Sequence, residues 1–193
     1  MRDTETIVRE LDARQQIHDC IMRYCRGVDH CDPDLARSAY HPGASDDHGF
    51  FRGSAGDFVD AAMGAGGTFE IVRHVICNEY VEFDAADATV ARAETVTIGC
   101  ILSRDGGDYR LAVSSCRFLD RFEERDGVWK IADRRLILDW ETEGPARGLA
   151  GGPLTTGMLR GFASTADPSF AHGFRLWGDG PREVVREERV GAA

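Results

Sequence analysis

The stretch EIVRHVICNEYVEF, Glu70 to Phe83, decides the architecture. It is rich in β-branched and aromatic residues, and here the apolar spacing changes from helical to strand-like. Three more such runs follow it. DAAD (84–87) reads as a turn before ATVARAETVTIGCIL (88–102). RDGGD (104–108) is a glycine-bearing hairpin signal before YRLAVSSCRFLDRF (109–122). ERDG (124–127) turns the chain into VWKIADRRLILDW (128–140). Long antiparallel strands joined by tight turns are the expected result.

Upstream of Glu70 the signals are helical. Asp12 with Gln15 resembles a capping box, with a further turn from about Thr4, and Ile17, Ile21, Tyr24 and Val28 then form one apolar face. Asp32-Pro33 reads as an N-cap and first-turn proline of a short helix that runs to Tyr40 and stops before Pro42. Ser54 with Asp57 caps a third helix through DFVDAAM, which GAGGT (64–68) ends. Helices first and strands afterwards predict an α+β fold, with helices on one face of a curved, mostly antiparallel sheet. The expected division is a domain over 1–142 and an extended C-terminal arm over 143–193. The arm is glycine-rich but carries Phe162, Phe170, Phe174 and Trp177, more aromatics than a free linker needs. It is expected to cover a cavity mouth or a neighbouring subunit. Trp129 and Trp140 are expected to pack the sheet, and the charged run REVVREERV (182–190) to be a solvated helix.

The chain of 193 residues carries a net charge of -10. Nucleic acid and anionic membrane surfaces need a basic patch, so neither is an expected partner. No run approaches the roughly 18 apolar residues of a membrane span. The acidic, polar start MRDTETIVRELDARQQ does not read as a secretory leader. The six cysteines form no CxxC pair and sit in apolar patterns, so no disulfide framework is expected and the cytoplasm is the expected compartment.

RYCRGVDHCD (23–32), YHPGASDDHGFFRG (40–53), RHVICN (73–78) and RFLDRFEERDGVWKIADRRLILDW (117–140) resemble the SnoaL-like branch of the nuclear transport factor 2-like superfamily, over about residues 12–142. The resemblance implies a cone: N-terminal helices close one side of a bent sheet around an apolar cavity. Relatives include scytalone dehydratase, bile acid dehydratase, lindane dehydrochlorinase, polyketide cyclases and a formaldehyde-releasing lyase. Other members only bind ligands or proteins. The resemblance implies no metal and no organic cofactor, and a homo-oligomer, trimer ahead of dimer. It places Asp29 and His74 at the positions of an orienting Asp and a catalytic His, and Tyr24 at that of an accompanying Tyr. Tyr40, His48, Phe58 and Arg134 complete the expected substrate-binding set, with Arg135 competing with Arg134.

These residue types suit an elimination. A neutral imidazole with an ordinary pKa near 6.5 is a base matched to neutral pH. A buried carboxylate on its far nitrogen fixes the tautomer and stabilises the imidazolium. A phenol in a dry cavity can donate to a developing enolate or leaving group. The expected function is a cofactor-independent, dehydratase-type lyase acting on a bulky apolar steroid, polyketide or aromatic dimer. The same site could instead serve an isomerase, a cyclase or a carbon–carbon lyase, and a silent cavity would make the chain a binding module. His41 and His48 with Asp46 and Asp47 superficially resemble metal ligands. They are read as a loop rimming the cavity, and no metal is expected.

Overall fold

The computed structural model describes residues 3–65, 69–148, 151–172 and 188–190. Helix α1 spans Thr4–Asp29 and starts eight residues before Asp12. Its cap is Asp3, whose carboxylate accepts from the Thr6 amide at 2.9 Å and so satisfies one of the free N–H groups of the first turn. Asp12 instead accepts from Gln16 one turn on. The buried face is Ala13, Ile17, Cys20, Ile21 and Tyr24, the spacing that the apolar pattern implies. The chain reverses at Cys31, where φ is 48°. Helix α2, Pro33–Ser38, then folds back on α1, capped by Asp32. A Cβ at Gly27 would lie 2.4 Å from the Ala36 backbone nitrogen, so α2 can approach this closely only because residue 27 has no side chain.

Tyr40 does not end that helix. It opens strand β1, Tyr40–Asp47, which corrects the expectation of a loop. Strand β2 is Arg52–Ser54, and helix α3 is Ala55–Ala65, with the Ser54 hydroxyl accepting from the Asp57 amide. The long strands are β3 (Phe69–Phe83), β4 (Val90–Asp105), β5 (Asp108–Arg125) and β6 (Val128–Ala146). They form one mixed sheet in the order β2-β1-β6-β5-β4-β3. Only the β1–β6 pair is parallel. Register shifts interrupt the ladders between Ile76 and Glu79, Ser115 and Cys116, and Arg121 and Phe122. Such irregularities bend strands, and here they help to curl the sheet around α1. The core lies in the resulting hollow, where Ile17, Ile21 and Tyr24 meet Phe118, Phe122 and Ile131. Trp129 is buried in it, but Trp140 is 51% exposed and does not pack the sheet. No helix among the described residues is long and apolar enough to cross a membrane.

β6 continues past Trp140 to Ala146, four residues beyond the expected domain boundary. Pro145 is tolerated there because β6 has left β1 after Arg135 and is an open edge on that side. In the arm, Phe162 and Phe170 are buried, beside the end of α1. His30 lies within 3.2 Å of the Phe162 carbonyl through Nδ1 and meets the Phe170 ring edge-on. Arg26 stacks over the same ring and donates to Ser169. Phe174, Trp177 and most of the run 182–190 lie outside the described residues.

His30 makes this docking pH-sensitive. Burial, and after it the Arg73 guanidinium, hold its imidazole below the ordinary value; Arg26 adds to the depression, while Asp167 and Asp29 oppose it. The unfolded chain, with a value near 6.5, therefore takes up the proton first as pH falls. The stabilisation is present above about 6.5 and is lost below it. Amides of residues 162–170 should lose protection against exchange, measured relative to their intrinsic rates, once the pH drops below that point. Unchanged protection in acid would refute this.

Candidate active site

α1 carries Tyr24, Val28 and, at its last residue, Asp29. β3 carries Arg73 and His74 beside them. Asp29 Oδ1 is 2.6 Å from His74 Nδ1, and Asp29 Oδ2 accepts from the His74 backbone N–H at 3.2 Å. The Arg73 guanidinium stands 3.8 Å from the same carboxylate. Asp29 is 7% exposed, so these donors replace the water it has lost. With Asp29 accepting, Nδ1 carries the proton and Nε2 is the nitrogen left for chemistry.

The His74 ring lines a cavity of about 320 Å³. Tyr24, His48, Arg73, Thr97 and Ser114 also line it, beside the thiols of Cys31, Cys100 and Cys116. The remainder is apolar, with Phe50, Phe58, Phe118, Ile101 and Leu136 among the larger members. Ala61 and Ala62 of α3 and Gly99 of β4 also line it. The Tyr24 and His74 rings are 6.2 Å apart. Burial holds the Tyr24 phenol far above its ordinary value, although the Arg134 charge pulls it down.

His48 does not belong to a loose rim. Its ring stacks on Phe58 at 4.0 Å, Nε2 is 3.2 Å from the Tyr24 hydroxyl, and Nδ1 bonds to the Asp46 carboxylate. Tyr40 donates to the other Asp46 oxygen at 2.6 Å. His41 is elsewhere, with Nε2 2.8 Å from the Glu123 carbonyl. Among the described residues, no group of three or more His, Cys, Asp and Glu side chains is placed to hold a metal ion.

Two of the expected substrate contacts do not line the cavity. Tyr40 is behind it, bonded to Asp46. Arg134 is also behind it and fully buried, forming two 2.7 Å bonds to Asp120. Its guanidinium carbon lies 4.2 Å from the Tyr24 ring centre and 3.9 Å from that of Phe118, where it supports the wall. Arg135 lines an outer groove that runs across β3 to β6, so neither arginine lines this cavity. Phe58 and His48 do line it. Sequence reasoning misses Asp46 as a partner of the site, and its place near the end of β1, two residues before His48, is the only signal that points to it.

Residues 9–135 match the SnoaL-like domain, and the chain belongs to that family, within the nuclear transport factor 2-like superfamily. No curated protein matches the sequence significantly. Solved structures do. A candidate scytalone dehydratase from Novosphingobium aromaticivorans DSM 12444 superposes with a TM-score of 0.62 at 17% identity, over 73% of this chain and 93% of that one. The hexachlorocyclohexane dehydrochlorinase LinA-type3 from Novosphingobium barchaimii LL02 gives 0.63 at 18%, over 73% and 94%. A candidate beta subunit of an aromatic-ring-hydroxylating dioxygenase from Novosphingobium aromaticivorans DSM 12444 gives 0.53 at 16%, over 68% and 92%. At these identities the likeness is one of fold, and the last neighbour shows that the fold is not tied to one activity.

Proposed function

We propose that the protein is a lyase of the dehydratase type, using Asp29 and His74 as orienting acid and general base. The observation that carries this reading is the 2.6 Å Asp29–His74 bond at the wall of an apolar cavity. Nε2 of His74 removes a proton from a carbon activated by a neighbouring group. Tyr24 donates to the oxygen that develops charge or departs. The apolar walls keep water from the carbanion-like intermediate and strengthen both contacts. The lyase-like fold of the dehydratase and dehydrochlorinase neighbours is compatible with this chemistry.

The space limits the substrate. An engineered cavity of about 150 Å³ holds one benzene, so about 320 Å³ suits a compact, mostly apolar compound of about two rings. An unbiased screen of hydroxylated two-ring compounds, followed by mass, is the test. Products one water lighter, formed by the wild type and not by His74→Gln, are expected. Equal turnover by both proteins, or binding without turnover across the screen, would overturn the lyase reading.

We also infer a homo-oligomer, most simply a trimer. Val75, Ile98, Ser115 and Trp140 are in register across four strands, and Val75 and Trp140 are 52% and 51% exposed. Ser115 in this row is buried, and the exposed Val75 and Trp140 side chains are the surface that association would cover. A monomeric mass by light scattering would refute it.

A further inference from the structure

We infer that Asp46 and His48 form a second acid–base pair that acts through Tyr24, so that the cavity holds a base on one side and a rechargeable acid on the other. The inference rests on the elimination reading and extends it to the leaving group. Tyr40 and His48 converge on one carboxylate, and the Asp46 side chain has no exposed surface. The ion pairs of the described residues bring Asp46 no arginine or lysine; its partner is His48. Such a carboxylate holds the facing imidazole with Nδ1 protonated, as a triad Asp does. That leaves Nε2 directed at the Tyr24 hydroxyl, 3.2 Å away. Phe58, stacked at 4.0 Å, fixes the plane of the ring.

The state of His48 then decides what Tyr24 can do. Neutral, its Nε2 accepts the Tyr24 hydrogen, and the phenol has none to offer the cavity. Protonated, its Nε2–H donates to the phenol oxygen, and the phenol hydrogen turns to the substrate. A partner is needed because burial makes the Tyr24 phenolate costly. In the elimination, His74 Nε2 takes the proton from carbon, and the electrons of that C–H bond form the double bond. The C–O bond breaks with its pair on oxygen, which takes the Tyr24 hydrogen. The His48 Nε2 proton moves to the phenol oxygen in the same step. Alkene and water leave; His74 returns its proton to solvent and His48 regains one, so atoms and charge balance. The other charged groups around this relay are Asp120, which the His48 charge influences, and Arg134, which lies over the Tyr24 ring.

The full chain with 15N-labelled histidine tests the relay without a substrate, the only probe being pH. In long-range 1H–15N spectra, neutral His48 should be the Nδ1–H tautomer with a hydrogen-bonded Nε2. Tyr24→Phe should move the Nε2 signal towards an unbonded position while the His74 signals stay. Asp46→Asn should shift the ring towards the Nε2–H tautomer. A wild-type Nε2–H tautomer, or an Nε2 signal unmoved by Tyr24→Phe, would overturn the inference. With a substrate from the screen, His48→Gln should lower kcat by about 10²-fold. A wild-type kcat in His48→Gln would sink the relay and leave the Asp29–His74 reading intact, whereas unchanged turnover in His74→Gln would sink that reading. Circular dichroism matching the wild type qualifies each variant, and Tyr24→Phe retains the packing of the ring should His48→Gln fail to fold.

Discussion

Replacing His74 with glutamine is expected to lower kcat by about 10²–10⁴-fold, the contribution of a positioned general base. KM should move little, because the ring occupies one wall of a cavity whose binding surface is mostly apolar. Asp29→Asn should lose activity on a similar scale for a different reason. The amide keeps the shape but no longer holds the proton on Nδ1, so the free nitrogen is the wrong one. Arg73 and the His74 backbone N–H would also lose a charged acceptor. The measurement is steady-state kinetics on the screened substrate, with thermal melts as a control. An Asp29→Asn variant within a few-fold of the wild type would remove the orienting carboxylate from the mechanism.

The second large effect concerns stability. Asp120 and Arg134 have no exposed side-chain surface and meet through two 2.7 Å bonds. Removing one member of a buried pair strands the other charge and costs about 3–5 kcal/mol. Asp120→Ala should therefore lower Tm by roughly 10 °C or more for a chain of this size. The double change Asp120→Leu with Arg134→Met should recover much of that loss, because two apolar side chains need no partner. A melt of Asp120→Ala within a degree or two of wild type would show that the pair contributes little. The double variant should still impair turnover, since the guanidinium would no longer lie over Tyr24.

Much of this arrangement is legible in the residues alone. Apolar side chains at helical spacing identify α1, and the change of period at Glu70 identifies the sheet, because both patterns report burial on one face. Asp29 and His74 are visible through the family resemblance, being on the two elements that every such cone brings together. β1 is not legible. Pro42 and Gly43 interrupt it where its register with β6 shifts between Tyr40 and Ser45, so the local signal is that of a turn. With β1 hidden, the link from Tyr40 through Asp46 and His48 to Tyr24 cannot be assembled. The two arginines fail for a related reason. Counting alternately from Trp129 and Ile131 puts Arg135 inward. The shift that skips Ala132, between the Phe122–Ile131 and Arg121–Asp133 pairs, reverses the faces and buries Arg134 instead.

The small residues along the cavity set a direction for its evolution. Ala61, Ala62 and Gly99 have almost no side chain to give up, so substitution at those points can only narrow the space. Widening is available at Met63, Phe69 and Leu136, whose larger side chains line the same cavity. Those positions are on α3, β3 and β6, while Tyr24 and Asp29 stay on α1, which Gly27 locks against α2. A lineage built on this chain can therefore retune the size of the cavity on three elements without disturbing the helix that carries Tyr24 and Asp29.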